Sequence, residues 1–400
     1  MVSPFVMILV ALLLAFTISE VLKRLLGIPR VVGQVGAGLI LGIGAFQSFL
    51  WNQENTDVLS FLANLGIILL FYYVGLETNL SVFKKNIKKS ITISLINTAV
   101  PFLMGFLVMK YVFDFTTIVS MIIGLALSVS AQSVSLDFLE ELKLVKSKLG
   151  ETIISAGAID DIIELILISI ILSFFQVAVA DNPHLTLALG LTFFVALIAV
   201  ARIWFIPLTL KFFEREKSST ARFTGALLIV LLIASLAELF GLGFLMGALI
   251  AGVVVRQTIF KDVTIPDWEE HDIARSLHII SFGFMVPLFF VWVGLNTDIG
   301  SIGANMFFLI ILIAIALLGT VGGSIIAIML NKGTFREGML IGWGLTPKGD
   351  IELALATLAL NAEIITPAIF TALVVMALFT TLISPWVFKY LVSTSKKKIA

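Results

Sequence analysis

The chain has 400 residues, of which 59% are hydrophobic and 13% are charged, and its formal net charge is zero. The charged share is about half that of a typical soluble domain, so the composition excludes a water-soluble globular protein. There is no cysteine and there are only three histidines, which excludes disulfides, thiolate metal sites and a histidine-based metal centre.

Apolar runs of roughly 20 residues recur along the chain, and each can cross about 30 Å of hydrocarbon as a helix. The sequence therefore predicts an all-α polytopic membrane protein with about thirteen transmembrane helices. In chain order the predicted spans are 4–24, 29–49, 57–76, 90–111, 117–139, 152–177, 184–210, 222–240, 242–260, 275–296, 303–330, 337–360 and 365–391.

The loop charges predict how these spans are oriented. Of the 26 lysines and arginines, all but Lys110, Arg202 and Lys348 lie in the loops after odd-numbered spans up to span 11 or near the C-terminus. By the positive-inside rule these loops face the cytoplasm, so we expect the N-terminus outside and the C-terminus in the cytoplasm. A multi-pass protein of the cell membrane is the predicted setting.

Two short stretches of the first half recur in the second half. Residues 27–38 align with 241–252 and residues 74–78 align with 293–297, at nearly equal offsets. Spans 1–6 therefore match spans 8–13, and the two halves start on opposite sides of the membrane. Inverted repeats with a midplane site at broken helices are typical of secondary transporters.

The repeat pairs span 5 with span 12, and both carry helix-breaking sequences. Span 5 contains the polar cluster Ser128, Ser130, Gln132 and Ser133, whose side chains compete with helical hydrogen bonds. Span 12 contains Thr346-Pro-Lys-Gly-Asp350, in which the proline lacks a donor and the glycine loosens the backbone. Both helices are predicted to break near the midplane.

Asp160 and Asp161 stand side by side within the apolar stretch 153–175. Carboxylates at this depth cost several kcal/mol or more unless they bind something, which makes them candidate functional residues. A buried carboxylate can hold either a proton or a small hard cation such as Na+, and competition for the same oxygens is a mechanism of cation/proton exchange. Ser130 and Lys348 lie at a similar depth in their own spans, which predicts a single ion site.

Other polar residues are open to two interpretations. Glu164 is either a relay or a buried neutral acid, and Lys348 either compensates buried charge and half-helix ends or takes part in transport. Asp350 and Glu352 either line a funnel or partner Lys348. The aspartate pair itself could be structural, satisfied by Lys348 and hydroxyl groups.

The sequence resembles the monovalent cation:proton antiporter-2 family, the bacterial and archaeal Na+/H+ and K+/H+ exchangers, along its whole length. The motifs that carry the resemblance are Gly157-Ala-Ile-Asp160-Asp161, Gly75-Leu-Glu77, Gly241-Leu with Gly247-Ala and Ala251-Gly252, and Pro347-Lys348-Gly349-Asp350.

The resemblance implies a sodium/proton antiporter fold, a homodimer and elevator-like movement without a cofactor. Residues 1–80 and 222–296 would be the scaffold, 90–177 and 303–391 the core, and 184–210 a linker helix. Asp161 would be the indispensable cation and proton carboxylate, with Na+ at Asp161 and Asp160, and Ser130 would be a ligand. Ser128, Gln132, Ser133, Glu164, Lys348, Asp350 and Thr320 would be accessory residues.

One departure from the family pattern concerns charge. Members with an Asp-Asp pair commonly carry a basic residue in span 11 that pairs with the first aspartate. Residues 306–330 contain no basic residue, and Thr320 occupies that position. Stoichiometry and electrogenicity therefore do not follow from the resemblance.

Na+ or Li+ exchange for protons is the leading hypothesis, and K+/H+ exchange is the nearest alternative. A symporter for organic anions would need a basic pocket, and Lys348 is the only base evident for one. An intramembrane aspartyl protease would need two facing carboxylates on different helices, and Asp350 is the only candidate partner for the adjacent pair.

Overall fold

A computed structural model of the chain describes residues 2–77, 87–178, 219–239, 243–259 and 272–394, with isolated residues between 192 and 203. The linker span predicted at 184–210 lies outside the described residues, apart from those isolated positions.

Every regular element in the described part of the chain is helical. The α-helices, numbered in chain order, are α1 Pro4–Leu26, α2 Arg30–Leu41, α3 Gly44–Leu50, α4 Gln53–Glu77, α5 Ile87–Tyr111, α6 Thr117–Ser128, α7 Gln132–Glu141, α8 Lys148–Ala178, α9 Ser219–Leu239, α10 Phe244–Ile259, α11 Asp272–Ile280, α12 Val286–Leu295, α13 Met306–Leu330, α14 Phe335–Leu345, α15 Asp350–Asn361 and α16 Pro367–Ser393. Within the described residues, 7 helical stretches are long and apolar enough to cross a membrane. The prediction of an all-α multi-pass membrane protein is confirmed.

Both predicted helix breaks are present. Span 5 consists of α6 and α7, which are separated at Val129–Ala131, and span 12 consists of α14 and α15, separated at Thr346–Gly349. Each break lies at the polar sequence that predicts it.

Span 2 differs from the prediction because it is two helices rather than one. Helix α2 ends at Leu41, α3 starts at Gly44, and the intervening residues include Gly42. The Trp51 indole donates to Leu41 O at 2.9 Å, which satisfies one carbonyl that the interrupted helix leaves open.

Span 10 is also irregular. A π-helical segment, Ser281–Met285, separates α11 from α12. Pro287 follows this segment and has no N–H to donate to the carbonyl of Gly283, four residues earlier, so the regular α-helical ladder cannot continue there.

The chain forms two compact units. The first comprises Met1–Thr56, Phe83–Leu167 and Phe290–Ala400, and the second comprises Asp57–Val82 and Ile168–Phe289. In the first unit α5 packs against α6 and α13, and α13 also packs against α14 and α16. In the second unit α9 packs against α10 and α11. Both broken helices belong to the first unit.

Close glycine contacts support the internal repeat. In the first unit a Cβ on Gly38 would lie 2.8 Å from Gly294 Cα, and in the second unit a Cβ on Gly75 would lie 2.9 Å from Gly252 Cα. The repeat aligns Gly38 with Gly252 and Gly75 with Gly294. The contact between Gly38 and Gly294 therefore corresponds to the contact between Gly252 and Gly75. Chance similarity between glycine-rich helices would not produce this exchange. Small residues permit such close helix packing in membranes.

Ion pairs in the first unit join segments that the charge pattern places on the same side of the membrane. They are Lys23 with Asp137 at 3.1 Å, Lys389 with Glu141 at 2.7 Å, and Lys89 with Glu337 at 3.0 Å. These partly exposed pairs contribute about 0–1 kcal/mol each, so they report the arrangement of helix ends more than they stabilise it.

Candidate ion site

The site is built where the two helix breaks meet. The Ala131 amide of the first break donates to Pro347 O of the second at 2.7 Å. Thr381 of α16 donates to Lys348 O, which satisfies a further carbonyl of the second break. Irregular backbone at membrane depth is tolerated only where neighbouring groups satisfy it in this way.

Charged side chains complement the half-helix ends. Lys348 Nζ donates to Ser128 O, at the C-terminal end of α6, at 3.1 Å. The Glu164 carboxylate accepts from Ser130 N, just before α7 begins, at 3.1 and 3.4 Å. A cation at a helix C-terminus and a carboxylate at an N-terminus are both favoured by the helix dipole.

Asp160 lies at the centre of a ring of donors. It has no exposed surface. Four side chains donate to its two oxygens: Ser94 Oγ at 3.1 Å, Asn97 Nδ2 at 3.1 Å, Ser130 Oγ at 3.0 Å, and Thr98 Oγ1. Hydrogen bonds of this kind stabilise a buried negative charge, and they tie α5, α8 and the first break together.

Three of these donors come from α5, where sequence reasoning found no site residue. Ser94, Asn97 and Thr98 follow the i, i+3, i+4 spacing that places side chains on one helix face. Ser324 of α13 donates to Asn97 Oδ1 at 2.9 Å and so holds the amide in position. A polar face on an otherwise apolar span is the signal that could have identified them.

Asp161 has different surroundings from its neighbour. Adjacent residues on a helix point about 100° apart, so Asp161 does not share the direction of Asp160. Asp161 is partly exposed as a residue although its Oδ1 is buried, whereas Asp160 is fully enclosed. Of the two carboxylates, Asp161 is the more accessible to a mobile ion.

The remaining predicted residues of α7 and α15 form hydrogen bonds with other partners. Ser133 donates to Asp350 Oδ2 at 3.0 Å, and Gln132 Nε2 donates to Ile154 O at 3.2 Å. The Ser128 hydroxyl donates to Leu125 O at 2.8 Å within its own helix. The donors to Asp160 therefore include Ser130 but not Ser128, Gln132 or Ser133.

Residues 8–393 match the family model described as sodium/hydrogen exchanger, transmembrane. The chain belongs to the sodium/hydrogen exchanger family. The match covers exchangers as a whole, so it confirms the cation:proton antiporter resemblance, and the antiporter-2 assignment within it stays a prediction.

Individual exchangers resemble the chain along nearly its whole length. The Na(+)/H(+) antiporter of Enterococcus hirae is 30% identical over 90% of this chain and 91% of its own. The Na(+)/H(+)-K(+) antiporter GerN of Bacillus cereus is 28% identical over 96% of each chain. The structure of the sodium proton antiporter MjNhaP1 from Methanocaldococcus jannaschii, solved at pH 8, superposes with a TM-score of 0.71 and 16% identity, covering 97% of this chain and 98% of that one. The chain therefore has the sodium/proton antiporter fold.

Thr320, at the position of span 11 where the resemblance implies a basic residue, lies beside Lys348 of the second helix break. Lys348 Nζ, which is fully buried, also donates to the Thr320 hydroxyl at 3.4 Å. The ammonium of span 12 therefore reaches the place where the resemblance implies a basic residue of span 11. Thr320 is fully buried as well, so this contact lies away from solvent.

The chemistry of the site suits a hard monovalent cation or a proton. Carboxylate, hydroxyl and amide oxygens are the ligands that hard cations prefer. Among the described residues, no group of three or more His, Cys, Asp or Glu side chains is arranged to hold a metal ion. In an exchanger the cation is cargo that enters and leaves, and not a resident cofactor.

Proposed function

We propose that this protein exchanges Na+ or Li+ for protons across the cell membrane, with Asp161 as the carboxylate that binds both. The observation that carries the proposal is the junction of two broken helices around an aspartate pair. One aspartate of the pair is held by four side-chain donors and the other is partly exposed.

The two aspartates have separate roles in this proposal. The donors around Asp160 stabilise its charge, and the ammonium of Lys348 lies among its charged neighbours. Asp160 therefore supports the site electrostatically and positions the helix. Asp161, one residue further on, is partly exposed and takes a cation or a proton, with Ser130 of the break as a further ligand.

Competition for these oxygens is sufficient for exchange. A cation that binds the Asp161 carboxylate excludes the proton, and a proton that binds it removes the charge that attracts the cation. If the site changes sides only when one of them is bound, cation movement in one direction is coupled to proton movement in the other. Broken helices near the midplane are the usual setting for this mechanism.

The distribution of the site residues supports an elevator movement. The side chains around the pair come from ranges assigned to the core, 90–177 and 303–391: Ser94, Asn97, Thr98, Ser130, Asp160, Asp161, Glu164, Thr320, Ser324 and Lys348. The core can therefore carry a complete site past a scaffold formed by 1–80 and 222–296. A homodimer, held by its scaffolds, would keep those parts fixed while each core moves.

The ion would reach the site from the side predicted to be cytoplasmic, along α7. Ser133 and Asp137 are exposed on one face of α7, beyond the break. A cavity of about 320 Å³ follows, and its lining includes Lys23, Asp137 and Glu141. This arrangement supports access from the cytoplasm, with the N-terminus outside as the loop charges predict.

K+/H+ exchange is the second candidate, because the name of GerN includes K+. The purified protein in lipid vesicles that enclose a pH-sensitive dye separates the candidates. We expect Na+ or Li+ to discharge an imposed pH gradient and K+ to do so more weakly. A stronger response to K+ would reverse this preference, and no response to any of the three cations would contradict both. A protease would instead cleave a transmembrane substrate in a manner that depends on Asp161.

A further inference from the structure

A buried acid lies outside the ring of donors around Asp160. Glu352, in the first turn of α15, has no exposed surface. Neither of its carboxylate oxygens forms a hydrogen bond with the described part of the protein. Burying an ionised carboxylate without a hydrogen bond or a paired charge is far more costly than burying the neutral acid. Glu352 therefore requires either a proton or a counter-charge.

Lys348 lies close enough to Glu352 to interact with it electrostatically. It precedes Glu352 by four residues and carries a long, flexible side chain. Of the helices packed against α15, α6 has no ionisable side chain, and those of α16 are Lys389 and Tyr390, near its C-terminus. Of these groups, Lys348 is the one that can supply a counter-charge to Glu352.

In this structure the Lys348 ammonium is engaged with other groups. Its Nζ donates to Ser128 O at 3.1 Å and to Thr320 Oγ1 at 3.4 Å. The first contact is with the C-terminal end of α6, where a cation is favoured by the helix dipole. The ammonium therefore has an alternative position that does not depend on Glu352.

Three acids interact electrostatically with this single ammonium: Glu164, Glu352 and Asp160. Asp160 has four side-chain donors, and Glu164 has the Ser130 amide. Glu352 has no such donor among the described residues. Of the three, Glu352 has the least compensation for a negative charge while Lys348 lies at the end of α6.

We propose that Glu352 is a second proton-binding residue, separate from the Asp160–Asp161 pair, whose proton is controlled by the position of Lys348. Glu352 holds the proton while Lys348 lies at the end of α6. When Lys348 turns toward Glu352, the carboxylic O–H bond breaks, the proton leaves to water, and an ammonium–carboxylate pair remains. The N-terminal end of α15 also favours the ionised carboxylate and so supports the second of these states.

This assignment deepens the proposed function, since it gives the exchanger a proton site that the cation does not occupy. Rearrangement of the breaks during transport moves Ser128 and Thr320 relative to Lys348 and so changes the charge state of Glu352. Proton movement then accompanies the conformational change as well as cation release. The coupling to transport rests on the proposed antiport, whereas the proton on Glu352 does not.

Infrared spectroscopy of the purified protein in phosphatidylethanolamine and phosphatidylglycerol vesicles tests the assignment, because a protonated carboxyl group has its own C=O stretching band. We expect the Glu352→Gln variant to lose one such band that the wild type keeps at neutral pH. Glu363→Gln, at an exposed position in the following loop, is the matched control and should lose none. Glu352→Asp, which keeps an acid, should shift the band. A Glu352→Gln spectrum with all wild-type bands would overturn the proposal.

A second arm tests the role of Lys348. In Lys348→Gln the band assigned to Glu352 should persist to higher pH than in the wild type, because the counter-charge is gone. An unchanged titration of the band would contradict control by Lys348. Exchange measured in the same vesicles separates the two proposals. A wild type without exchange contradicts the antiport alone, and a wild type with exchange but without the Glu352 band contradicts this inference alone.

Discussion

Asp160 and Asp161 are adjacent in the chain, yet one is enclosed by donors and the other is partly open. This difference predicts different consequences of the same substitution. We expect Asp161→Asn to abolish Na+/H+ exchange while expression and folding are kept, because the amide cannot hold the proton or attract the cation. Asp160→Asn should reduce exchange without eliminating it. Dye-monitored exchange in vesicles measures both, and wild-type activity in Asp161→Asn would show that the ion carboxylate has been assigned wrongly.

The donors to Asp160 provide a test of its structural role. Thr98→Val keeps the shape of the side chain and removes one hydrogen bond to the carboxylate. Hydrogen bonds to charged groups contribute about 1.5–3 kcal/mol, so we expect a loss of unfolding free energy in that range. Thr92→Val is the control on the same helix, because its hydroxyl donates to Lys88 O at 2.8 Å. Equal losses of thermal stability in detergent would argue against a special role for Asp160.

The contact between Lys348 and Thr320 predicts that a lysine at either position can supply the positive charge of the site. Thr320→Lys alone puts a second ammonium beside Lys348, and like charges in a buried site repel strongly. We expect this variant to have reduced stability and an altered transport current. Combining it with Lys348→Thr returns the site to one ammonium and should recover stability. Current recorded on a solid-supported membrane would be the same in all variants if the position of the base had no effect on coupling.

The sequence identifies charged site residues more readily than neutral ones. Asp160 and Asp161 are conspicuous because carboxylates are rare at membrane depth. Ser94 and Thr92 are both hydroxyl residues of α5, and the sequence does not distinguish them. In the structure Ser94 donates to Asp160, whereas Thr92 donates to a backbone carbonyl of its own helix. Hydroxyl groups satisfy themselves within a helix so often that their sequence alone does not reveal a site.

At the scale of the elements, glycine determines which helices can approach each other. A Cβ on Gly38 would lie 2.1 Å from Val291 O, whereas a Cβ on Gly36, on the same helix, would have no neighbour within 4 Å. We expect Gly38→Ala to destabilise the protein by about 1–3 kcal/mol, as overpacking does. Gly36→Ala should be neutral or slightly stabilising, since alanine favours a helix. Thermal unfolding followed by tryptophan fluorescence makes the comparison, and equal melting temperatures would contradict it.

The helix breaks show what sequence can predict about elements. Pro347 and the serine cluster of span 5 predicted the positions of both helix breaks, because a missing donor or a competing hydroxyl acts locally. The interruption after Leu41 was not predicted. It rests on glycines together with a hydrogen bond from Trp51, ten residues away, and such a contact depends on the fold and not on local sequence.

At the scale of the whole molecule, the absence of cysteine from the sequence gives a clean background for testing orientation. Lys146 and Glu363 are exposed in loops that the charge pattern places on opposite sides. We expect Glu363→Cys to react with an impermeant maleimide in intact cells, and Lys146→Cys to react only after the membrane is permeabilised. The reverse pattern would invert the predicted orientation, and labelling of both in intact cells would contradict the span count between them.

The hydrogen bond between Ala131 N and Pro347 O has a consequence for how such a protein could arise. The amide belongs to the first half of the repeat and the carbonyl to the second, so one backbone group of the first break is satisfied by the other half. A single ancestral half would have needed a second copy, inserted in the opposite direction, to close the gap. Gene duplication and fusion would then have joined two copies that already paired as separate chains. We expect the two halves, synthesised as separate polypeptides, to become stable only together.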